Sequence, residues 1–407
     1  LPDFEQPGGN RRLTRWDRRF AELFDRFWSP APGGAVPQPH FHPPHKEQVM
    51  QQATPTSINE TRLNALMNQL VMDAAATATA PLVLLGDRLG LYKAMAGAGP
   101  ITSAELADRT GTHERYVREW LSAQAAAGYV DFDAASERFT LTPEQAMAFA
   151  DEHGPAFFVG AFETMGSVFL DREKIEQAFR TGKGVGWHEH DSSLFCGVER
   201  FFRSGYTAHL VQDWLPALDG VTDKLRAGAR VADIGCGHGA STILMAQAFP
   251  QSQITGFDYH QESITQARAT AARSGLDGRA RFETATAKDF PGDGYDLVTI
   301  FDALHDMGDP VGAARHVREA LAPDGAWMIV EPLAGDNLAA NLNPVGRLYY
   351  AASTMICTPG SLAQEVGLGL GAQAGEARLR DVLQKAGFTR VRRATETPFN
   401  MVLEARP

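Results

Sequence analysis

The sequence predicts an α/β fold over its C-terminal half, a mostly parallel sheet covered by helices on both faces, joined to a smaller and mainly helical N-terminal unit. Three observations predict it. From Arg230 onward, short apolar segments at 231–234, 254–257, 280–283, 297–301 and 326–331 alternate with stretches of helical periodicity, such as 241–249 ended by Pro250 and 313–321 ended by Pro323. The first apolar segment breaks into a glycine turn with Gly235, Gly237 and Gly239 ahead of a helix, and Asp258 ends the next one, 19 residues after Gly239. Finally, 388–395 and 399–405 read as two strands joined by a tight connection at Pro398.

Size and charge bound the function. At 407 residues the chain is long enough for two cores. Its 44% hydrophobic and 21% charged residues are those of an ordinary globular protein. A formal net charge of −11 opposes non-specific attraction to phosphate backbones or anionic lipid, so neither nucleic acid nor membrane is an expected partner. Cys196, Cys236 and Cys357 are too few and too scattered for a disulfide framework or a zinc cluster. No metal is expected, and a cytoplasmic location is the simplest reading. No run of 18 apolar residues and no signal-peptide core is read in the sequence.

Four segments follow in order. Residues 1–50 form an extension: Leu13, Trp16, Phe20, Leu23, Phe24 and Phe27 recur at helical spacing, before a proline-rich run carrying His40, His42 and His45 without the partners of a metal site. Residues 51–150 form a dimerisation unit. Ser57 with Glu60 makes a capping box ahead of an apolar helical face of Leu63, Leu66, Met67, Leu70 and Val71, and a compact unit begins near Pro81. There a capped helix starts at 101–107, Gly111 punctuates, a second helix covers 113–127, and a hairpin covers 130–141. This order resembles a winged helix, a fold that also binds DNA. Between 81 and 150, however, six basic residues face nine acidic ones, which suits pairing of subunits better than a phosphate backbone.

Residues 151–220 connect the two halves and cap the site. Gly184 and Gly186 flank Trp187, His188 and His190, the two histidines at strand spacing, and Trp187 and His190 are expected at the rim of a substrate cavity. Residues 221–407 form the catalytic domain. A strand, a glycine turn and a helix bring backbone N–H groups up to a ligand, and a carboxylate at the tip of the neighbouring strand accepts hydrogen bonds from ribose hydroxyls. The pocket therefore suits a nucleoside-containing cofactor. Gly235, Gly237 and Ala240 satisfy the dinucleotide pattern, so the motif alone leaves NAD open.

Asp233, the third glycine at Gly239 and the terminal strand pair weigh against NAD. The run 233–239 resembles motif I of class I S-adenosylmethionine methyltransferases, and the order of elements is similar from about residue 57 to the C-terminus. The chain also resembles a group of actinobacterial proteins of this architecture, and more distantly the small-molecule O-methyltransferases. The resemblance implies a seven-stranded Rossmann-like methyltransferase domain behind an all-α, winged-helix domain, a homodimer, and S-adenosylmethionine as cofactor. It places Asp233, Gly235, Gly237, Gly239, Asp258, Tyr259, Ala287, Lys288 and Phe301 around the cofactor, with Tyr206, on a capping helix, near its methionine carboxylate.

Leu304, His305, Asp306 and Met307 stand where these O-methyltransferases carry a His-Asp-Trp run whose histidine deprotonates the acceptor hydroxyl. His305 and Asp306 match and Met307 departs. Glu331 corresponds to the acid that orients the histidine. Imidazole titrates near neutrality and can accept that proton, although a histidine after a strand also serves purely structural hydrogen bonding. Residues 332–379 place acceptor-binding side chains over the cofactor, with Arg347 and Tyr350 chosen among them. The expected reaction is methyl transfer to a small-molecule acceptor, foremost a hydroxyl oxygen, by in-line displacement. A cofactor-sensing transcriptional regulator and an NAD-dependent oxidoreductase are the alternatives.

Overall fold

The computed structural model describes residues 58–276 and 278–407; the helix read at 13–27, the histidine run and Ser57 lie outside the described residues. Residues 61–407 form one compact unit.

The small hairpin of the N-terminal unit pairs β1 (Asp131–Asp133) with β2 (Arg138–Thr140). The large sheet contains β3 (Arg230–Ile234), β4 (Gln253–Asp258), β5 (Ala280–Thr284), β6 (Tyr295–Phe301), β7 (Leu321–Pro332), β8 (Arg390–Glu396) and β9 (Asn400–Arg406). Its order is β5-β4-β3-β6-β7-β9-β8. β9 runs antiparallel to both neighbours, β7 and β8, and the remaining pairs are parallel. The central strands are aliphatic on both faces because helices cover both, and Val298, Met328, Ile329, Val330, Val402 and Leu403 are wholly buried. The chain leaves β3 toward β4 and β5 on one side and returns to β6 on the other. Strand order therefore reverses at β3, which opens a crevice beyond the strand ends there.

The N-terminal unit is built on local signals. Thr102 and Glu105 form a reciprocal capping box for the helix Ser103–Thr110, and His113 caps the helix Glu114–Ala126. Trp120 of the second helix donates to the Leu82 carbonyl at 2.8 Å, and Tyr92 donates to Gln124 at 2.7 Å in the core. Gly86 lets the long first helix approach this core, since a Cβ there would stand 2.5 Å from the Trp120 ring and 2.6 Å from Tyr92. Gly86→Ala is expected to cost about 1–3 kcal/mol by overpacking, read as a lower urea midpoint at unchanged slope.

Two features of the helix Glu60–Arg88 qualify the sequence reading. The helix Glu60–Arg88 runs on through Pro81, and the buried core of the N-terminal unit begins just after it, at Val83. Hydroxyls of Thr77 and Thr79 donate to the carbonyls of Asp73 and Ala75 one turn earlier. Among the described residues this 29-residue helix is the one long and apolar enough to cross a membrane, with an 18-residue window of mean hydropathy 1.3 of which 11% is buried. Scattered polar residues hide this in a search for unbroken apolar runs. One of them, Asp73, is ion-paired with Arg347 at 2.7 Å.

Candidate active site

The crevice beyond β3, β4 and β6 is a cavity of about 480 Å³. Gly235 and Gly237 line it from the turn after β3, Asp258 and Tyr259 from the end of β4, Ala287 and Lys288 from the loop after β5, and Phe301 from the end of β6. Gly237 has φ +52, and a Cβ there would meet no protein atom within 4 Å, so the bare backbone faces open space. Its N–H donates to Asp258 Oδ2 at 3.0 Å, and Asp258 Oδ1 accepts the His260 N–H at 2.8 Å. The Asp258 carboxylate is thereby fixed at the lip of the cavity. Burial nevertheless pushes its pKa up, against the lowering effect of the two amides.

Two residues assigned to the cofactor do not line the cavity. Gly239 serves packing: a Cβ there would meet the Phe282 ring at 2.7 Å. Asp233 is fully buried and accepts from Ser241 at 2.7 Å, Thr242 at 2.6 Å and Thr299 at 2.8 Å. It ties β3 to β6 and to the first turn of the helix Ala240–Ala248, so it shapes the glycine turn from behind. Tyr206 does line the cavity, but its hydroxyl donates to Asp302 Oδ2 at 3.3 Å and its ring packs on Phe301. Lys288 reaches across the rim to Glu365 at 2.9 Å and Asp309 at 3.5 Å.

His305, Asp306 and Met307 of the tetrad line the same cavity. Leu304–Asp306 is a single 3₁₀ turn after β6 that places His305 over the pocket. Glu331, buried at the end of β7, accepts the Leu304 N–H at 2.9 Å and holds His305 Nδ1 at 2.6 Å. Nε2 lies 3.1 Å from Asp306 Oδ1 without the alignment of a hydrogen bond. Burial opposes charge on His305, but the Asp306 and Glu331 carboxylates outweigh it and hold the imidazole pKa well above 6.5.

The acceptor-side residues divide. Trp187 lines the cavity, in contact with Phe195. His190 does not, because 187–189 is a 3₁₀ turn and not a strand; it points into the protein, where Nδ1 meets Asp171 Oδ2 at 2.9 Å. On the helix Pro344–Ala352 the cavity face is Leu348, Tyr349 and Ala352. Arg347 turns away to a two-pronged ion pair with Asp73, and Tyr350 Oη accepts from Asn341 at 3.4 Å. The choice of Arg347 and Tyr350 by polarity missed the helical phase by one residue each.

Sequence reasoning also missed Asp302 and Cys357. Asp302, at φ +49, accepts from Asn400 at 2.7 Å, and burial, then Glu331, drives its carboxyl well above the ordinary range. Cys357 is buried beside His305 and Asp306, and burial pushes its thiol up to about 12. The signal for Asp302 was its position directly after a strand end on the cavity side; none marked Cys357.

An open α/β sheet with one antiparallel strand next to its edge, and a glycine turn and a strand-tip acid at the reversal of strand order, define a nucleotide-binding type of α/β fold. Residues 225–387 match the family model described as methyltransferase domain, and residues 77–150 match the Rv2258c-like winged HTH domain. Over 103 residues it is 35% identical to 27-O-demethylrifamycin SV methyltransferase of Amycolatopsis mediterranei, covering 25% of this chain and 38% of that protein. Trans-aconitate 2-methyltransferase of Streptomyces avermitilis is 32% identical over 30% of this chain and 46% of its own. The chain therefore spans less than half the length of these curated relatives. Human N-acetylserotonin methyltransferase, solved with S-adenosylmethionine, shares the fold at a TM-score of 0.61 and 16% identity, covering 87% of this chain and 99% of that one.

Proposed function

We propose that this protein transfers a methyl group from S-adenosylmethionine to a hydroxyl of a largely apolar small molecule. One observation carries the reading: the glycine turn with Asp258 and the His305–Glu331 pair open on one cavity, with Trp187, Phe195, Phe201, Leu348 and Ile356 on its walls. The residues suit a positively charged nucleoside. Asp258 and Asp306 line the cavity, and among the described lining residues Lys288 is the only lysine or arginine, already paired with two carboxylates. A sulfonium cofactor gains from that field, whereas a dinucleotide diphosphate loses. When bound, S-adenosylmethionine supplies a methyl group already activated by positive sulfur.

The chain's own part is placement and proton transfer. Gly237 leaves room at the turn, and the Asp258 carboxylate takes the ribose hydroxyls. Glu331 fixes the Nδ1–H tautomer of His305, so Nε2 faces the cavity and receives the acceptor's proton. Trp187 and Tyr349 flank the acceptor. Release of S-adenosylhomocysteine on incubation with phenols, amines and carboxylic acids is the test: turnover with phenols is expected, and turnover with amines alone would contradict the oxygen assignment.

The electrostatics of His305 set a pH profile. Nε2 must be unprotonated to act, so kcat/KM rises with pH through an imidazole pKa above 6.5. Asp306→Asn removes one of the charges that hold the proton and is expected to move that rise to lower pH, checked by a pH–rate series on both proteins.

The winged-helix unit is proposed as a pairing domain. Arg115 and Arg118 are engaged by Glu119 and Glu114 on their own helix, which leaves little positive field for DNA. Leu63, Leu66, Leu70 and Val71 are exposed along Glu60–Arg88, an apolar stripe that a second copy covers in a homodimer. Sedimentation of a Leu66→Asp/Leu70→Asp variant is expected to show a monomer where the parent sediments as a dimer. A parent that is monomeric and partitions onto lipid vesicles would contradict this.

A further inference from the structure

We propose that His305, Asp306 and Cys357 form a binding site for a soft divalent metal ion of the zinc class, and that filling it blocks methyl transfer. The metal-binding half stands on its own geometry; the blocking half rests on the methyltransferase reading above.

The three side chains each offer a donor atom, and the donors all lie within 4.8 Å of one another. Tetrahedral zinc holds nitrogen, oxygen and sulfur ligands roughly 3.3–3.8 Å apart, so a small rotamer change closes the set. The donor types are those of borderline-soft ions, one imidazole, one carboxylate and one thiolate, and not the all-oxygen set of magnesium or calcium.

Two further observations point to a ligand. His305 Nδ1 is held by the buried Glu331 carboxylate at 2.6 Å, the arrangement that orients a zinc-bound histidine and raises its basicity. Asp306 Oδ1, buried at this spot, has no well-aligned hydrogen-bond donor, and His305 Nε2 lies 3.1 Å from it. A cation among the three donors would satisfy that oxygen.

All three residues line the cavity, which leaves the fourth coordination position directed at the acceptor's space. Binding replaces the Cys357 thiol proton by the metal and takes the Nε2 lone pair, so His305 can no longer accept a proton. The ion is thus an inhibitor of the proposed reaction, reversible by a chelator.

Cobalt(II) is the probe. Titration into the full chain is expected to give one equivalent of binding, with a thiolate-to-cobalt charge-transfer band and the intense visible bands of a four-coordinate ion. Cys357→Ala is expected to remove the charge-transfer band, and Cys196→Ser to leave it unchanged. If Cys357→Ala fails to fold, Asp306→Asn, at a half-exposed position, is expected to weaken cobalt binding tenfold or more. Glu331→Gln is expected to weaken it about 10–100-fold through the histidine it orients.

No thiolate band, or a band that survives Cys357→Ala, overturns the site. Zinc that displaces cobalt yet leaves turnover unchanged overturns the blocking role. Calorimetry with S-adenosylmethionine on the same protein separates the two readings: a cobalt band without cofactor binding defeats the methyltransferase assignment and leaves the metal site standing.

Discussion

His305→Ala is expected to lower kcat by about 10²–10⁴ while leaving the affinity for S-adenosylmethionine unchanged. The imidazole is nearly buried, its Nδ1 is committed to Glu331, and its second nitrogen is the one basic atom of the pair that faces the cavity. Nothing in the cofactor half of the crevice depends on it, since Gly237, Asp258 and His260 hold one another independently. Single-turnover formation of S-adenosylhomocysteine with a phenolic acceptor, beside calorimetry of cofactor binding, checks both halves. A sulfonium methyl is already reactive, so alignment of the acceptor could supply most of the rate. In that event the variant raises KM with kcat intact, and His305 is a positioning group and not a base.

Asp258→Ala is expected to weaken S-adenosylmethionine binding by about 10²–10⁴, because two hydrogen bonds to a charged acceptor are each worth about 1.5–3 kcal/mol. Part of that loss comes from the free protein. The Gly237 N–H loses its anchor at 3.0 Å, and the turn no longer presents a fixed backbone to the ligand. Asp258→Asn keeps an acceptor and is expected to fall between the two. Calorimetry measures the affinities, and the shift of the unfolding midpoint on adding cofactor should shrink in the same order. Cofactor affinity within twofold of the parent in Asp258→Ala would remove this carboxylate from the binding account.

The sheet was legible in the sequence because its strands are short, apolar and separated by turns of definite chemistry. The reading at 231–234, 254–257, 280–283 and 297–301 falls within two residues of β3 to β6. The terminal strand pair around Pro398 is there as read. Glu331 and His305 were named from sequence and stand 2.6 Å apart. What the sequence could not convey is which way a polar residue turns. Arg347 and Tyr350 sit one position from the cavity face occupied by Leu348 and Tyr349, and only packing of the helix sets that phase. His190 was drawn to the rim by its aromatic neighbour Trp187, but a 3₁₀ turn sends it to Asp171. Asp233 resembled a ligand-facing acid, yet three hydroxyls from two other elements claim it, which is tertiary information. Cys357 lies 52 positions from His305 in the chain, and no local pattern joins them.

The central claim is that the crevice over β3 holds a sulfonium nucleoside and not a dinucleotide. Titration calorimetry of the full chain with S-adenosylmethionine and, separately, with NAD decides it most directly. The account predicts saturable binding of S-adenosylmethionine at one molecule per chain and no heat from NAD. Saturable NAD binding with no response to S-adenosylmethionine would contradict it.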